Sequence, residues 1–260
     1  MRRMVLGMAA LALMAAPALA AKCGNSGAGF NTWKGSFAAE AKANGVGARG
    51  LKALAATSYA SATIKADRSQ HSFKLSLAQF MQKRGASAII ARGKKMKVAN
   101  AALFAKLEKR FGVPPGPLIA IWGMETAFGA YTGNQNTVSA VATLAYDCRR
   151  TAFFTEQLIA ALKLVDRGVL SSSSRGAMHG EVGQTQFLPK NVFLHGADGD
   201  GGGINLNKKA DALASTAKFL SREGWRKGGP YSASSFANWN AATVYQKALA
   251  IMATKIDTGS

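Results

Sequence analysis

Acidic residues, histidine and cysteine are scarce in this sequence, and each shortage narrows what the chain can do. Thirteen aspartates and glutamates stand against 33 lysines and arginines, so the 260-residue chain carries a formal net charge of +20. A charge of this size indicates an anionic partner. The three histidines, His71, His179 and His195, are too scattered to predict a metal site. The sequence also has no zinc signature and no nucleotide-binding glycine motif, so we expect neither a zinc ion nor a nucleotide cofactor.

One apolar run opens the chain. Arg2 and Arg3 precede residues 4–16, which are almost all apolar, and Ala18-Leu19-Ala20 follows. The run is too short to cross a bilayer of about 30 Å, so we expect no membrane span. A basic head, a short hydrophobic core and small residues at the end predict a signal peptide over residues 1–20, with export to the periplasm. Cleavage would leave 31 basic and 13 acidic residues, a net charge of +18. Export argues against nucleic acid as the anionic partner. It favours the bacterial cell wall, whose peptide stems carry carboxylates.

Cys23 and Cys148 are the two cysteines of the chain. In an oxidising compartment two cysteines can pair in one way, so the sequence predicts a Cys23–Cys148 disulfide. The alternative is two unrelated thiols, one of them in a frayed N-terminal tail.

Alanine is abundant and valine scarce, a composition that favours helices over sheets. Apolar residues recur at helical spacing from residue 31 to residue 112, as in the stripe Trp33, Phe37 and Ala41. Further helices are predicted over residues 138–146, 153–165 and 210–220. The fold class is therefore mainly α.

A carboxylate stands on the most apolar helix of the chain. Prolines at positions 114, 115 and 117 mark the start of this helix, where backbone N–H groups have no helical partners to lose. Leu118, Ile121 and Trp122 form one stripe, and Glu125 falls next on it. Burial of Glu125 would raise its pKa above the ordinary value near 4.3, as a general acid requires. The alternative is a structural glutamate in a salt bridge or near the helix end.

Two motifs give the chain a family resemblance. The segment WGMET at residues 122–126, followed by Phe128 and Gly129, resembles the catalytic segment of the B-type lytic murein transglycosylases. The segment GQTQFLP at residues 183–189 resembles a second motif of that family. The likeness runs from about residue 111 to residue 225, and more weakly to Tyr245.

The resemblance implies a lysozyme-like catalytic core over residues 111–260, preceded by a smaller N-terminal helical region over residues 21–110. It also implies non-hydrolytic cleavage of the β-1,4 bond between N-acetylmuramic acid (MurNAc) and N-acetylglucosamine (GlcNAc) in peptidoglycan. Glu125 would protonate the departing oxygen and then accept the proton of the muramic acid's 6-hydroxyl, which closes a 1,6-anhydro ring. We expect the enzyme to be a monomer.

The same resemblance assigns substrate-binding roles. Gln186 would bind the N-acetyl group of the sugar, since an amide both donates and accepts hydrogen bonds without a charge. Arg149 and Arg150 would grip the carboxylates of the peptide stem, although a role as surface charge is the alternative. Asn240 would hydrogen-bond to the substrate, Trp239 would stack on a sugar face, and Tyr245 matches a later tyrosine of the family.

Two departures from the family pattern stand out. Asp198 and Asp200 lie in a glycine-rich loop, with Asp211 beyond, and the stretch resembles the family's calcium loop. Because Gly196 stands where the first acidic ligand belongs, we favour a surface turn over a calcium site. Glu181 is an additional acid near the expected cleft and the second candidate for the catalytic acid.

Two rival functions remain open from the sequence. A hydrolytic, lysozyme-type muramidase would use two carboxylates across the cleft, and no second acid recurs close to Glu125 in the sequence. A non-catalytic wall-binding protein would keep the cleft without the acid, whereas Glu125 is present.

Overall fold

The computed structural model describes residues 22–69 and 75–259, which are mainly helical. The predicted signal peptide lies outside these residues. The described part contains these α-helices: α1 (Phe30–Ala43), α2 (Ala48–Ala55), α3 (Ser61–Arg68), α4 (Leu77–Lys83), α5 (Ala86–Ala99), α6 (Ala101–Phe111), α7 (Pro115–Thr126), α8 (Thr137–Tyr146), α9 (Thr151–Asp166), α10 (Pro189–His195), α11 (Lys209–Arg222) and α12 (Thr243–Thr258). Two short strands, β1 (Gln135–Asn136) and β2 (Arg175–Gly176), pair antiparallel. The mainly α class is therefore confirmed.

Helix α7 lies at the centre of the fold. Pro115 occupies its first turn, and Pro114 precedes it in an extended conformation, as the prolines predicted. Almost every residue of α7 is buried, with α5 and α12 packed against it. A helix that is apolar on all sides belongs in a core rather than at a surface. No helix in residues 22–69 and 75–259 has both the length and the apolar character needed to cross a bilayer.

The first hydrophobic core surrounds α7. It joins α4, α5 and α6 to α7, α11 and α12, and its members include Phe80, Ile89, Phe104, Leu118 and Leu249. Helices α5 and α6 from the N-terminal region thus pack against the helix that carries Glu125.

The second core joins α1, α2 and α3 to α8 and α9. Trp33 packs against Phe30, Phe37 and Tyr146 at ring-centroid distances of 4.9 to 5.5 Å. Both cores therefore combine helices from before and after residue 110. The hydrophobic packing therefore does not separate the chain at residue 110. The predicted boundary between the N-terminal region and the catalytic core stays a prediction.

A disulfide closes the second core. Cys23 and Cys148 are bonded, with their Cα atoms 5.0 Å apart. The backbone N–H of Gly24 donates to the carbonyl of Tyr146 at 2.9 Å beside the bridge. The predicted pairing is thus present, and it fastens the N-terminal segment to the end of α8.

Candidate active site

Glu125 lies on the last turn of α7 and lines a cleft of about 270 Å³. Three other residues predicted for the site, Gln186, Trp239 and Asn240, line the same cleft. The complete lining in the described part is Glu125, Glu181, Gln186, Phe187, Leu188, Asn191, Phe219, Trp239 and Asn240. The two sequence motifs and the C-terminal segment therefore converge on one cleft.

The turn after α7 holds Glu125 in place. Ala127 and Phe128 have φ values of 48° and 64°, which non-glycine residues rarely adopt, so the surroundings must stabilise the turn. The hydroxyl of Thr126 accepts from the N–H of Gly129 at 2.9 Å and donates to the carbonyl of Gln184 at 2.6 Å. These two bonds fasten the turn to the loop that carries the second motif.

Gln184 is a positioning residue that the sequence did not single out. Its side-chain oxygen accepts from the indole N–H of Trp122 at 2.9 Å, and its amide group donates to the carbonyl of Asn207 at 2.5 Å. The side chain therefore joins α7 to the loop before α11. Its position within the GQTQFLP motif is the sequence feature that could have identified it.

The carboxyl of Glu125 is partly buried and accepts two hydrogen bonds on one oxygen. The Tyr245 hydroxyl donates to Oε1 at 2.5 Å and the Trp239 indole N–H at 3.1 Å. Burial raises the pKa of Glu125; the bonds from Tyr245 and Trp239 and the charge of Arg84 counteract it only in part. The negative end of the α7 dipole acts in the same direction as burial. Glu125 therefore has the environment of a general acid.

Trp239 and Tyr245 both contact the acid, and Trp239 also lines the cleft. The Trp239 ring packs at 5.2 Å from Phe187 and 5.3 Å from Phe219. Tyr245 is 7% exposed and does not line the cleft in the described part of the chain. Contact of these two residues with substrate stays a prediction, while in the described structure the Tyr245 hydroxyl bonds to the Glu125 carboxyl and positions it.

Gln186 and Asn240 offer complementary hydrogen-bonding groups to the cleft. The Gln186 amide N–H groups donate to the carbonyls of Gly183 at 2.9 Å and Thr132 at 3.3 Å, which leaves its oxygen as an acceptor. The Asn240 oxygen accepts from the N–H of Ala242 at 2.9 Å, which leaves its amide N–H groups as donors. Together they can bind a group with one donor and one acceptor, such as an N-acetyl group.

Glu181, the additional acid expected near the cleft, lines the same cleft as Glu125. Its Oε2 accepts from the backbone N–H of His179 at 3.0 Å, and Nδ1 of His179 lies 3.3 Å from Oε1. Burial by itself would raise the pKa of Glu181, but the His179 contacts outweigh it and the pKa lies below its ordinary value. The environment of Glu181 thus favours its ionised form, the opposite of the environment of Glu125.

Arg149 and Arg150 lie outside the lining of the cleft. Their Nη1 atoms bond to the two oxygens of Asp67 at 2.9 and 2.8 Å, and the Asp67 side chain is 3% exposed. Nε2 of His179 lies 3.9 Å from the same carboxylate. The arginines are therefore linked to Glu181 through Asp67 and His179, while their contact with a peptide stem stays a prediction.

Arg84, on the turn after α4, reaches the catalytic helix from the N-terminal region. It donates to the carbonyl of Met124 at 2.9 Å, and its charge favours the ionised form of Glu125. Nothing in the sequence pattern indicated this residue, because the two segments meet only in the folded chain.

The glycine-rich loop before α11 is a poor fit for calcium. Asp198, Asp200 and Asp211 have oxygens within 4.8 Å of one another. Each of their carboxylate oxygens already accepts a hydrogen bond, from loop N–H groups or from the Lys208 ammonium, which lies 3.2 Å from Asp200. The backbone bonds also lower the pKa of Asp198. The ammonium of Lys208 thus supplies positive charge that a calcium ion would otherwise bring to these carboxylates.

The surrounding backbone supports the same conclusion. Carbonyl groups of the loop, which a calcium ion would need as ligands, accept from basic side chains. Lys106 donates to Gly199 at 2.7 Å, Arg110 to Asp198 at 2.9 Å and Lys218 to Gly196 at 3.2 Å. Protein cations thus hold the loop in the described structure.

Comparison with known proteins identifies relatives of the whole fold. The family described as "Transglycosylase SLT domain" matches residues 29–250. Membrane-bound lytic murein transglycosylase B of Escherichia coli (strain K12) is 33% identical over 121 residues, 45% of this chain. The match spans 34% of that relative, about a third of its length.

Solved structures extend the likeness to most of the chain. SltB3 from Pseudomonas aeruginosa, solved in complex with NAG-anhNAM-pentapeptide, gives a TM-score of 0.80 at 25% identity, over 88% of this chain and 79% of that one. The Escherichia coli lytic transglycosylase Slt35, solved in complex with calcium, gives a TM-score of 0.78 at 17% identity. This match covers 92% of this chain and 96% of that one. The lysozyme-like fold predicted from the motifs is thereby confirmed.

Proposed function

The chain belongs to the transglycosylase SLT domain family, and from this we propose that it is a lytic transglycosylase. It cleaves the β-1,4 bond between MurNAc and GlcNAc of peptidoglycan and leaves 1,6-anhydro-MurNAc ends. The observation that carries the proposal is the Glu125 carboxyl, held on the floor of a cleft in surroundings that raise its pKa. SltB3, a relative with the same fold, was solved with an anhydro-muropeptide.

Glu125 carries the proton in both steps of the proposed reaction. Its protonated carboxyl donates to the glycosidic oxygen, and the bond from that oxygen to C1 of the muramic acid breaks. The resulting carboxylate then accepts the proton of the 6-hydroxyl as O6 attacks C1. Tyr245 and Trp239 both bond to Oε1, so Oε2 is the oxygen available to transfer the proton.

The 6-hydroxyl competes with water for the same carbon. It is attached to the reacting sugar, and well-oriented intramolecular groups reach effective molarities of about 10⁵ M or more, against about 55 M for water. The 6-hydroxyl, rather than water, therefore attacks C1 if the ring is held bent. Gln186 and Asn240 supply the groups to hold the N-acetyl substituent.

The positive charge of the chain supports an anionic wall as substrate. The formal charge of +20 would favour association with a polymer that carries carboxylates. The proposed site of action is the periplasm, in keeping with the signal peptide predicted from the sequence.

Hydrolysis is the second candidate, because Glu181 lines the cleft together with Glu125. A two-carboxylate glycosidase needs such a pair. The two reactions give products that differ by one water molecule.

Mass spectrometry of muropeptides released from purified cell wall tests the proposal. The proposed reaction yields anhydro-muropeptides that resist borohydride reduction. Reducible fragments that have gained a water would assign hydrolysis instead. A protein that binds cell wall and releases nothing would be a binding module.

A further inference from the structure

We propose that Glu181 is a second catalytic residue, whose carboxylate stabilises the positive charge that develops on the muramic acid ring as the glycosidic bond breaks. This inference rests on the proposed lytic transglycosylase function. It assigns Glu181 an electrostatic role, and it leaves Glu125 as the residue that donates and accepts the proton.

The position of Glu181 carries the argument. Of the described residues that line the cleft, Glu125 and Glu181 are the two with ionisable side chains. A sugar bound in this cleft of about 270 Å³ would share its walls with both carboxyl-bearing residues. The side chain of Glu181 is 25% exposed, so it is accessible to a ligand and still shielded from bulk water.

The backbone around Glu181 fixes its direction. Its carbonyl accepts from the N–H of Ala177 at 2.9 Å, and Gly180 adopts a φ of 88° that favours glycine. A side chain on Gly176 would have its Cβ only 1.9 Å from the Glu181 carbonyl oxygen, so this packing requires glycine there. A carboxylate held this firmly needs little reorganisation during the reaction.

The contacts with His179 keep the carboxylate charged. The backbone N–H and the imidazole of His179 both face the oxygens of Glu181, and they place its pKa below the ordinary value. The pKa of Glu125 is shifted in the opposite direction, upward, by burial. Two carboxyl groups with opposed environments are the arrangement in which one acts as acid and the other stays ionised.

An ion cluster with a buried carboxylate and two half-exposed arginines lies next to His179. Asp67, which binds Arg149 and Arg150, lies 3.9 Å from Nε2 of His179. His179 and Asp67 are therefore positioning residues that act through Glu181.

The proposed step conserves atoms and charge. The C1–O4 bond breaks with its electron pair moving to the leaving oxygen, which takes the proton of Glu125. The positive charge on C1 and the ring oxygen faces the Glu181 carboxylate. O6 then forms its bond to C1, and its proton passes to Glu125. Glu181 is unchanged at the end, and no water is consumed.

The test compares Glu181→Gln with Glu156→Gln. Glu156 is an exposed acid that pairs with Lys190 outside the cleft, so its substitution removes the same charge elsewhere. For Glu181→Gln we expect kcat on purified cell wall to fall about 10²–10³-fold, with KM close to wild type, a small fall in Tm from the weakened His179 contacts, and anhydro products retained. Glu156→Gln should match wild type in every measurement.

A binding measurement separates electrostatics from structural support. A protonated iminosugar mimics the charged ring of the transition state. Its affinity should fall at least about 10-fold in Glu181→Gln, while the affinity for a neutral GlcNAc oligomer should not change. If Glu181 had only a structural role, Glu181→Gln would lower the affinity for both ligands to the same extent.

The outcomes distinguish the inference from the proposed function. If a folded Glu181→Gln variant kept wild-type kcat and iminosugar affinity, the inference would be overturned, and anhydro products of the wild type would leave the proposed function standing. Reducible products from the wild type would overturn the proposed function whatever the variant does. If Glu181→Gln did not fold, the isosteric pair Glu181→Asp and Glu181→Asn would decide, since equal activity of the two would overturn the inference.

Discussion

The Tyr245 hydroxyl donates a hydrogen bond to Oε1 of Glu125, from a position 120 residues further along the chain. The contact comes from the buried side of the carboxyl, because Tyr245 is not part of the cleft lining in the described residues. Tyrosine thus fixes one oxygen of the acid and leaves the other to reach the substrate.

Tyr245→Phe should lower activity and change its pH dependence. The hydroxyl stabilises the ionised form of Glu125, so its removal should raise the pKa of Glu125 further. The alkaline limb of the kcat/KM profile should therefore move to higher pH. Loss of a hydrogen bond to a charged group should reduce kcat about 10–100-fold. A profile with an unmoved alkaline limb would contradict this assignment.

Tyr231→Phe is the matched control. Tyr231 also donates to a carboxylate, that of Asp257 at 2.6 Å, but it lies outside the lining of the cleft. The variant should be less stable by about 1–3 kcal/mol and keep the wild-type pH profile.

Glu125→Gln should abolish most cleavage and keep the fold. The amide has the shape of the carboxyl without the transferable proton, so we expect cell-wall solubilisation to fall about 10²–10⁴-fold. Turbidity loss of a purified wall suspension measures this directly. Cleavage by the variant at the wild-type rate would show that another residue is the acid.

The same variant should be more stable than wild type at neutral pH. Burial raises the folded-state pKa of Glu125, so the protonated form is stabilised at low pH and that stability is lost as the pH rises through the folded pKa. Glutamine does not titrate and avoids this loss. Melting curves should give a higher Tm for Glu125→Gln at pH 8, and the difference should shrink at pH 4.

Removal of the disulfide should destabilise the protein without changing the reaction. Cys23 and Cys148 are 125 residues apart, and a loop of this length contributes about 4–5 kcal/mol in the chain-entropy model. For a chain of this size the double variant Cys23→Ser, Cys148→Ser should melt about 10–15 °C lower. Native protein whose mass matches two free thiols would contradict the bridge.

Asp211 should stabilise the loop before α11 without a metal. It is fully buried and accepts from the N–H groups of Gly199 at 2.7 Å and Asn205 at 2.9 Å. Asp211→Asn can satisfy one N–H but not both, and should cost about 1–3 kcal/mol. For wild type, EDTA should leave Tm and activity unchanged. A fall in Tm with EDTA that calcium reverses would show that the loop binds the ion.

Local patterns were sufficient to predict the helices and to single out Glu125. The prolines before α7, the periodic apolar residues and Glu125 all lie within one segment, and the predicted helices over residues 138–146, 153–165 and 210–220 are confirmed as α8, α9 and α11. The partners of Glu125 could not be predicted in the same way. Arg84 reaches it from the turn after α4 and Tyr245 from α12 by tertiary packing, which leaves no periodic trace in the sequence.

The chemistry of a side chain was easier to predict than its partner. Arg149 and Arg150 were expected to bind external carboxylates, and the structure pairs them with the internal carboxylate of Asp67. Glu181 was recognised as an extra acid, but its contact with His179 and its ionised state depend on the conformation of the loop.

The sharing of both hydrophobic cores between the two halves of the chain determines when the protein can fold. Helices α1 to α3 have no complete core until α8 and α9 have been synthesised, and α4 to α6 must wait for α12, which ends at Thr258. Contacts between such distant segments slow folding, because a long loop must close before any apolar surface is buried. We infer that the second core can form once α9 has been synthesised, whereas the first core is incomplete until α12 follows.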